Sequence, residues 1–123
     1  MAVDKKVLSG LPESVPIGPI PFDIVPMPDR AQVAGEESWG NIDYEDGSIE
    51  IWPDLSKYHQ IVTLFHEIMH GALDRSGLCH VITEEQSELL CTLVGYTFGD
   101  LIECGWLKFG GGQASQKPVP TAR

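Results

Sequence analysis

Residues 63–73 read Thr63-Leu64-Phe65-His66-Glu67-Ile68-Met69-His70-Gly71-Ala72-Leu73, and they lie inside a longer stretch with a helical apolar rhythm. Ile61, Leu64, Phe65, Ile68, Met69, Ala72 and Leu73 recur at spacings of three and four, the repeat of one buried helical face. Ser56 is a suitable N-cap and Gly77 a suitable stop, so the pattern predicts a helix from about Lys57 to about Asp74. Four residues apart, His66 and His70 project from one face and can converge on one metal ion. Glu67, rotated about 100° from His66, stands beside that site rather than in it. A carboxylate so placed can serve as general base toward a water that a metal has acidified, and can then protonate a leaving amine. Two histidines and a glutamate can also occupy a helix for packing or solubility alone. The flanks, Leu64-Phe65 before and Ala72-Leu73 after, instead supply the buried helix that the metal chemistry needs.

A catalytic zinc takes three protein ligands and keeps one position open. An extended histidine motif of the metzincin kind would need glycine at position 73 and histidine at position 76, where this chain has Leu73 and Ser76. The alternative is a glutamate on a following helix. Thr83-Glu84-Glu85-Gln86 is a capping box, and it predicts a second helix from about Glu84 to about Glu103. Its packing residues are expected to be Leu89, Leu90, Leu93, Val94, Tyr96, Phe98, Leu101 and Ile102. Glu84, Glu85 and Glu88 fall in its first turns, where acids are also favoured by the helix dipole. Glu88, just before Leu89-Leu90, is expected deepest between the helices and is the preferred third ligand. His80 beside Cys79 is its main competitor. His59 shares the histidine face and could border the cleft, and Tyr44, Tyr58, His59 and His80 are candidates to stabilise an oxyanion.

N-terminal to the helix, Trp39 to Tyr44 and the strictly alternating Ile49-Glu50-Ile51-Trp52 flank a turn at Glu45-Asp46-Gly47-Ser48, which reads as a β-hairpin. The first 30 residues carry Pro12, Pro16, Pro19, Pro21, Pro26 and Pro28, which forbid a helix there. Ile20 to Val25 could add an edge strand. The organisation expected is therefore a proline-rich extended arm over 1–36, a core over 37–107 and a flexible tail over 108–123, with the glycine-rich run from Gly110 given no function.

At 123 residues, the chain suits one domain, and 42% hydrophobic with 21% charged residues is the composition of a packed protein. A net charge of −10 argues against nucleic acid and against an anionic membrane. Cys79, Cys91 and Cys104 match no zinc knuckle or redox pair and are read as reduced thiols. With no signal-peptide pattern and no apolar run of about 20 residues, a cytoplasmic location in a host cell is expected.

The run Thr63 to Leu73, with a hairpin before it and Glu88-Leu89-Leu90-Cys91 after it, resembles the ImmA/IrrE family of metallopeptidases, especially its short phage-encoded members. The likeness covers roughly residues 37–104. It implies a compact gluzincin in which His66, His70 and Glu88 bind zinc and Glu67 catalyses. It also implies a protein substrate, in several members a transcriptional repressor, paired against an edge strand beside the cleft. This chain departs from better-known members in its proline-rich arm and in lacking a helix-turn-helix domain.

The expectation is thus an α+β domain, a small antiparallel sheet packed on two principal helices, that hydrolyses a peptide bond with Zn2+ and Glu67. Its rival is a non-catalytic phage interaction or inhibitor protein that binds a host partner and is stabilised by a metal closed off by His80 or Cys79.

Overall fold

The computed structural model describes Leu8, residues 10–28 and residues 39–109. Four strands come first: β1 (Ser14–Ile17), β2 (Ile20–Pro26), β3 (Gly40–Asp43) and β4 (Ser48–Ile51). Helix α1 (Lys57–Ser76), a single 3-10 turn (Leu78–His80) and helix α2 (Glu84–Glu103) follow. The class is α+β, with the sheet on one side of α1 and α2 on another.

The hairpin forms as expected, with Ile42 opposite Ile49 in the β3–β4 pair. The sheet is larger than a hairpin, however, and it is mixed. Its order is β1-β2-β4-β3, with β2 parallel to β4 and the other two pairs antiparallel. Ile20–Pro26 is therefore an interior strand rather than an edge, and β1 covers its outer side.

The prolines of β2 permit this because of where they fall. Asp23 N donates to Gly47 O on the β4 side, at 2.9 Å, and Ile24 N donates to Glu13 O on the β1 side, at 2.9 Å. By this alternation Pro21 faces a point before β4 begins, and Pro26 a point beyond the end of the β1 ladder, so neither position requires a donor.

Nor is the proline-rich segment an arm apart from the core. Ile17, Phe22 and Ile24 are buried together with Ile49, Ile51 and Leu64. Phe109 also packs against this cluster and stacks on Phe65, which carries the core past residue 107. The rest of the expected tail, from Gly110, lies outside the described residues. On β4 the alternation is strict, with Ile49 and Ile51 at 0% exposure between half-buried Ser48 and Glu50. Each fully buried isoleucine contributes roughly 1.5–3 kcal/mol, so a one-residue slip that turned both outward is strongly disfavoured.

Both helices begin where the sequence predicts. Ser56 Oγ accepts from His59 N at 3.2 Å, and Gly77 closes α1 in the left-handed conformation. Thr83 Oγ1 accepts from Gln86 N at 3.0 Å while Gln86 Oε1 accepts from Thr83 N at 2.9 Å, completing the capping box.

The face by which α2 packs matches expectation in part: Val94, Phe98, Leu101 and Ile102 are half-buried, and Phe98 stacks on Phe65, but the other four expected residues are not buried. Leu89 is 68% exposed and Leu93 61%, and Leu90 and Tyr96 are exposed as well. The buried residues are Cys91, Gly95 and Gly99, one turn apart along a stripe of small side chains. A Cβ at Gly95 would lie 2.6 Å from the Val62 carbonyl oxygen, so the backbones approach too closely for any larger residue. Close approach of two long helices outweighs the burial of a few leucines because it brings both backbones into dispersion contact along their length.

All three cysteines are free. Among the described residues, no helix is long and apolar enough to cross a membrane.

Candidate metal centre

The cleft lies where β3, α1 and α2 meet, and it has a volume of about 650 Å³. Its floor is the α1 face that carries Thr63, His66, Glu67 and His70; β3 forms one wall, and Glu88, Thr92 and Tyr96 of α2 form the other. Gly40 lets β3 approach this closely, since a Cβ there would lie 2.5 Å from Thr63 Cγ2 and 3.4 Å from Glu67 Cγ.

His66 and His70 converge on Glu88 across the helix pair. Nε2 of His66 is 2.9 Å from one Glu88 carboxylate oxygen, and Nε2 of His70 is 3.2 Å from the other. The three donor groups lie within 4.8 Å of one another, and they form the one such grouping among the described residues. Ligand atoms held tetrahedrally at zinc bond lengths stand roughly 3.3 Å apart, close to the two His–Glu88 spacings, while the group as a whole, spread over up to 4.8 Å, would draw together on one ion. Two imidazoles and one carboxylate from two helices, beside the cleft, are a donor set that could hold a zinc ion with a position left open. Burial lowers the pKa of His66, partly offset by the Glu88 carboxylate, and so favours the neutral ring that a metal requires.

Glu88 lies beside both histidines, as expected, but in an unpredicted setting. Its side chain is 59% exposed, whereas those of His66 and His70 are 20% and 28% exposed. It reaches the histidines from the open rim, not from a deep interhelical position. Glu84 and Glu85, one turn earlier and exposed, are outside the group, as are His80 and Cys79 in and around the 3-10 turn.

Glu67 is only 7% exposed and points toward β3. Burial, and secondarily the charge of Glu88, raise its pKa to about 7. A carboxyl group poised there can accept and return a proton near neutrality.

Of the four proposed oxyanion stabilisers, only Tyr44 lines the cleft. Its hydroxyl donates to the His70 carbonyl oxygen at 3.2 Å, and burial, with Asp74 nearby, raises its pKa to about 12, so it remains a donor. Tyr58 donates instead to Asp100 Oδ1 at 2.6 Å, and His59 pairs with Ser56 Oγ at 3.1 Å. Thr92 and Tyr96 were not singled out by sequence reasoning as site residues. Their spacing of four and eight from Glu88 is the signal that places them on the same wall.

No protein-family model, curated protein or solved structure matches this chain. The functional reading therefore rests on the residues and their geometry.

Proposed function

We propose that this chain is a zinc-dependent peptidase that hydrolyses a peptide bond in a protein or peptide substrate in the cytoplasm, with His66, His70 and Glu88 as metal ligands. The observation that carries the reading is the convergence of both histidine Nε2 atoms on Glu88, at 2.9 and 3.2 Å, with Glu67 in the same cleft. Glu67 distinguishes a peptidase from a merely metal-stabilised module, because neither the fold nor the donor set needs a carboxyl group at that buried position. The absence of His80 and Cys79 from the donor group likewise favours an open site over a closed one.

Zinc, when bound, would acidify a water and polarise the scissile carbonyl. Glu67 takes a proton from the attacking water and delivers it to the leaving amine nitrogen, so the C–N bond breaks as the C–O bond forms and one water is consumed. Tyr44, a neutral phenol at the cleft wall, is a hydrogen-bond donor within the site. β3 is one of the sheet's two edges, the one beside the cleft, and an extended substrate backbone can add alongside Asn41 and Ile42 as a further strand.

The test is to incubate the zinc-loaded chain with a proteome-derived peptide library and sequence new N-termini by mass spectrometry. Cleavage that a chelator abolishes and added zinc restores is expected. No cleavage across the library, with zinc bound, would reject the peptidase reading.

A further inference from the structure

Beside the cleft, aromatic rings from three parts of the chain lie against one another, and two of them, Trp39 and Tyr96, belong to its lining. Trp39 at the start of β3 lies 5.0 Å, centroid to centroid, from His59 on the first turn of α1. His59 lies 5.0 Å from Tyr58, and Tyr58 lies 6.4 Å from Tyr96 of α2. Trp39 and Tyr96 both line the cleft, from opposite walls, and are 40% and 39% exposed. Rings in the core of this fold are covered. These are held at a rim, tied to one another and left partly open, an arrangement that core packing does not explain.

Charge narrows what such a ring cluster can receive. Among the described residues, the cleft lining holds no lysine or arginine, and its two carboxyl groups, Glu67 and Glu88, are offset once zinc is bound, so the negative potential at the rings comes from their surroundings. Behind the rings, the Tyr58 hydroxyl is anchored on the Asp100 carboxylate. The whole chain has a net charge of −10. Ring faces attract cations, and a surrounding negative potential strengthens that preference and repels acidic side chains.

Resting on the peptidase reading, we infer that Trp39 and Tyr96, backed by Tyr58 and His59, form a specificity subsite for a basic side chain, lysine or arginine, of the substrate. Seven helical residues separate His59 from His66, about 10 Å along α1. An extended peptide advances about 3.3 Å per residue, so the basic side chain sits roughly three residues from the scissile bond.

The test uses a positional peptide series carrying Arg, Lys, Leu, Phe, Glu or Ala at each site in turn. Hydrolysis is measured with the zinc-loaded full chain, and binding with zinc-loaded Glu67→Gln. At one position, Arg and Lys are expected to be favoured over Ala by roughly three- to thirty-fold, chiefly in KM and in binding. Glu is expected to be the least favoured there. Tyr96→Ala and Trp39→Ala should each lower the Arg-to-Ala ratio in KM and in binding to zinc-loaded Glu67→Gln, whatever their effect on overall rate, with circular dichroism reporting on the fold; Tyr96→Leu serves if Trp39→Ala unfolds. A preference for Leu or Phe, no preference, or a basic preference untouched by the Tyr96 variants would overturn the subsite. Cleavage without basic preference sinks the subsite alone. Selective binding without cleavage sinks only the peptidase reading, and neither binding nor cleavage sinks both.

Discussion

Glu88 reaches His66 from a different helix, with a carboxylate oxygen 2.9 Å from Nε2 and the glutamate side chain still 59% exposed. The contact exists because Cys91, Gly95 and Gly99 bring α2 close against α1, which carries Glu88, less than one turn before this stripe, to the histidine face. The donor group is thus a product of helix packing. It can be disturbed either at the ligands or at the stripe.

At the ligands, Glu88→Ala should weaken zinc affinity by at least about 100-fold, beyond the loss typical of a residue that only supports a ligand. Glu84→Ala and Glu85→Ala should each change it by less than about three-fold, because both are exposed, lie outside the donor group and act on it only through high-dielectric solvent. Competition titration with a zinc chelator measures all three. Equal losses would refute Glu88 as the ligand.

At the stripe, Gly95→Ala places a Cβ 2.6 Å from the Val62 carbonyl oxygen. The strain should cost about 1–3 kcal/mol and lower Tm by several degrees. Thr97→Ala, on the exposed side of the same helix, should stay within about 0.5 kcal/mol. Chemical denaturation distinguishes them, and similar stabilities would mean that the helices do not pack through this face.

Gly40→Ala should be destabilising for a parallel reason, and it offers a rescue. Its Cβ would meet Thr63 Cγ2 at 2.5 Å and, less severely, the Glu50 carbonyl oxygen at 3.0 Å. Thr63→Ser removes that methyl group but retains the hydroxyl that donates to His59 O at 2.7 Å. The double variant should recover at least half of the stability lost in Gly40→Ala. No recovery would place the obstruction elsewhere.

The ease with which these residues can be read from sequence follows from how local their causes are. Ser56, Gly77 and the Thr83–Gln86 box act within one turn, so the helix limits were legible from the residues themselves. The hairpin itself is set by a short turn and was also legible, whereas its register, with Ile42 opposite Ile49, Gly40 opposite Ile51 and Tyr44 beyond the strand, was not. The parallel pairing of β2 with β4 was not, because it joins segments more than twenty residues apart and depends on where two prolines fall in the ladder. The α2 leucines misled for a related reason. Apolar periodicity marks a stripe of helix but does not say whether large or small residues will be seated, and here the glycine stripe was seated. Glu88 was correctly expected beside the histidines and misjudged in burial as a consequence.

For the metal-free protein, the raised pKa of Glu67 predicts a pH dependence of stability. The folded state binds this proton more tightly than the unfolded chain, whose value is near 4.5, so the stabilisation is complete below about pH 4.5 and lost as pH rises through about 7. The loss should be on the order of 3 kcal/mol. His66, with a lowered pKa, contributes in the opposite sense as pH rises, so the informative quantity is the difference between wild type and Glu67→Gln. Wild type should lose stability relative to Glu67→Gln between pH 5 and about 7.5, as followed by thermal unfolding in chelator. A constant difference would mean that Glu67 is not held protonated by its surroundings.

The most direct test of the central claim combines zinc content and hydrolysis for wild type and Glu67→Gln, each measured on the same preparation. About one zinc per chain in both proteins, with peptide cleavage in wild type and at least a 100-fold loss in Glu67→Gln, is the predicted result. Metal lost with the substitution, or cleavage retained by the zinc-loaded variant, would contradict the roles assigned to Glu67 and to the His66–His70–Glu88 group.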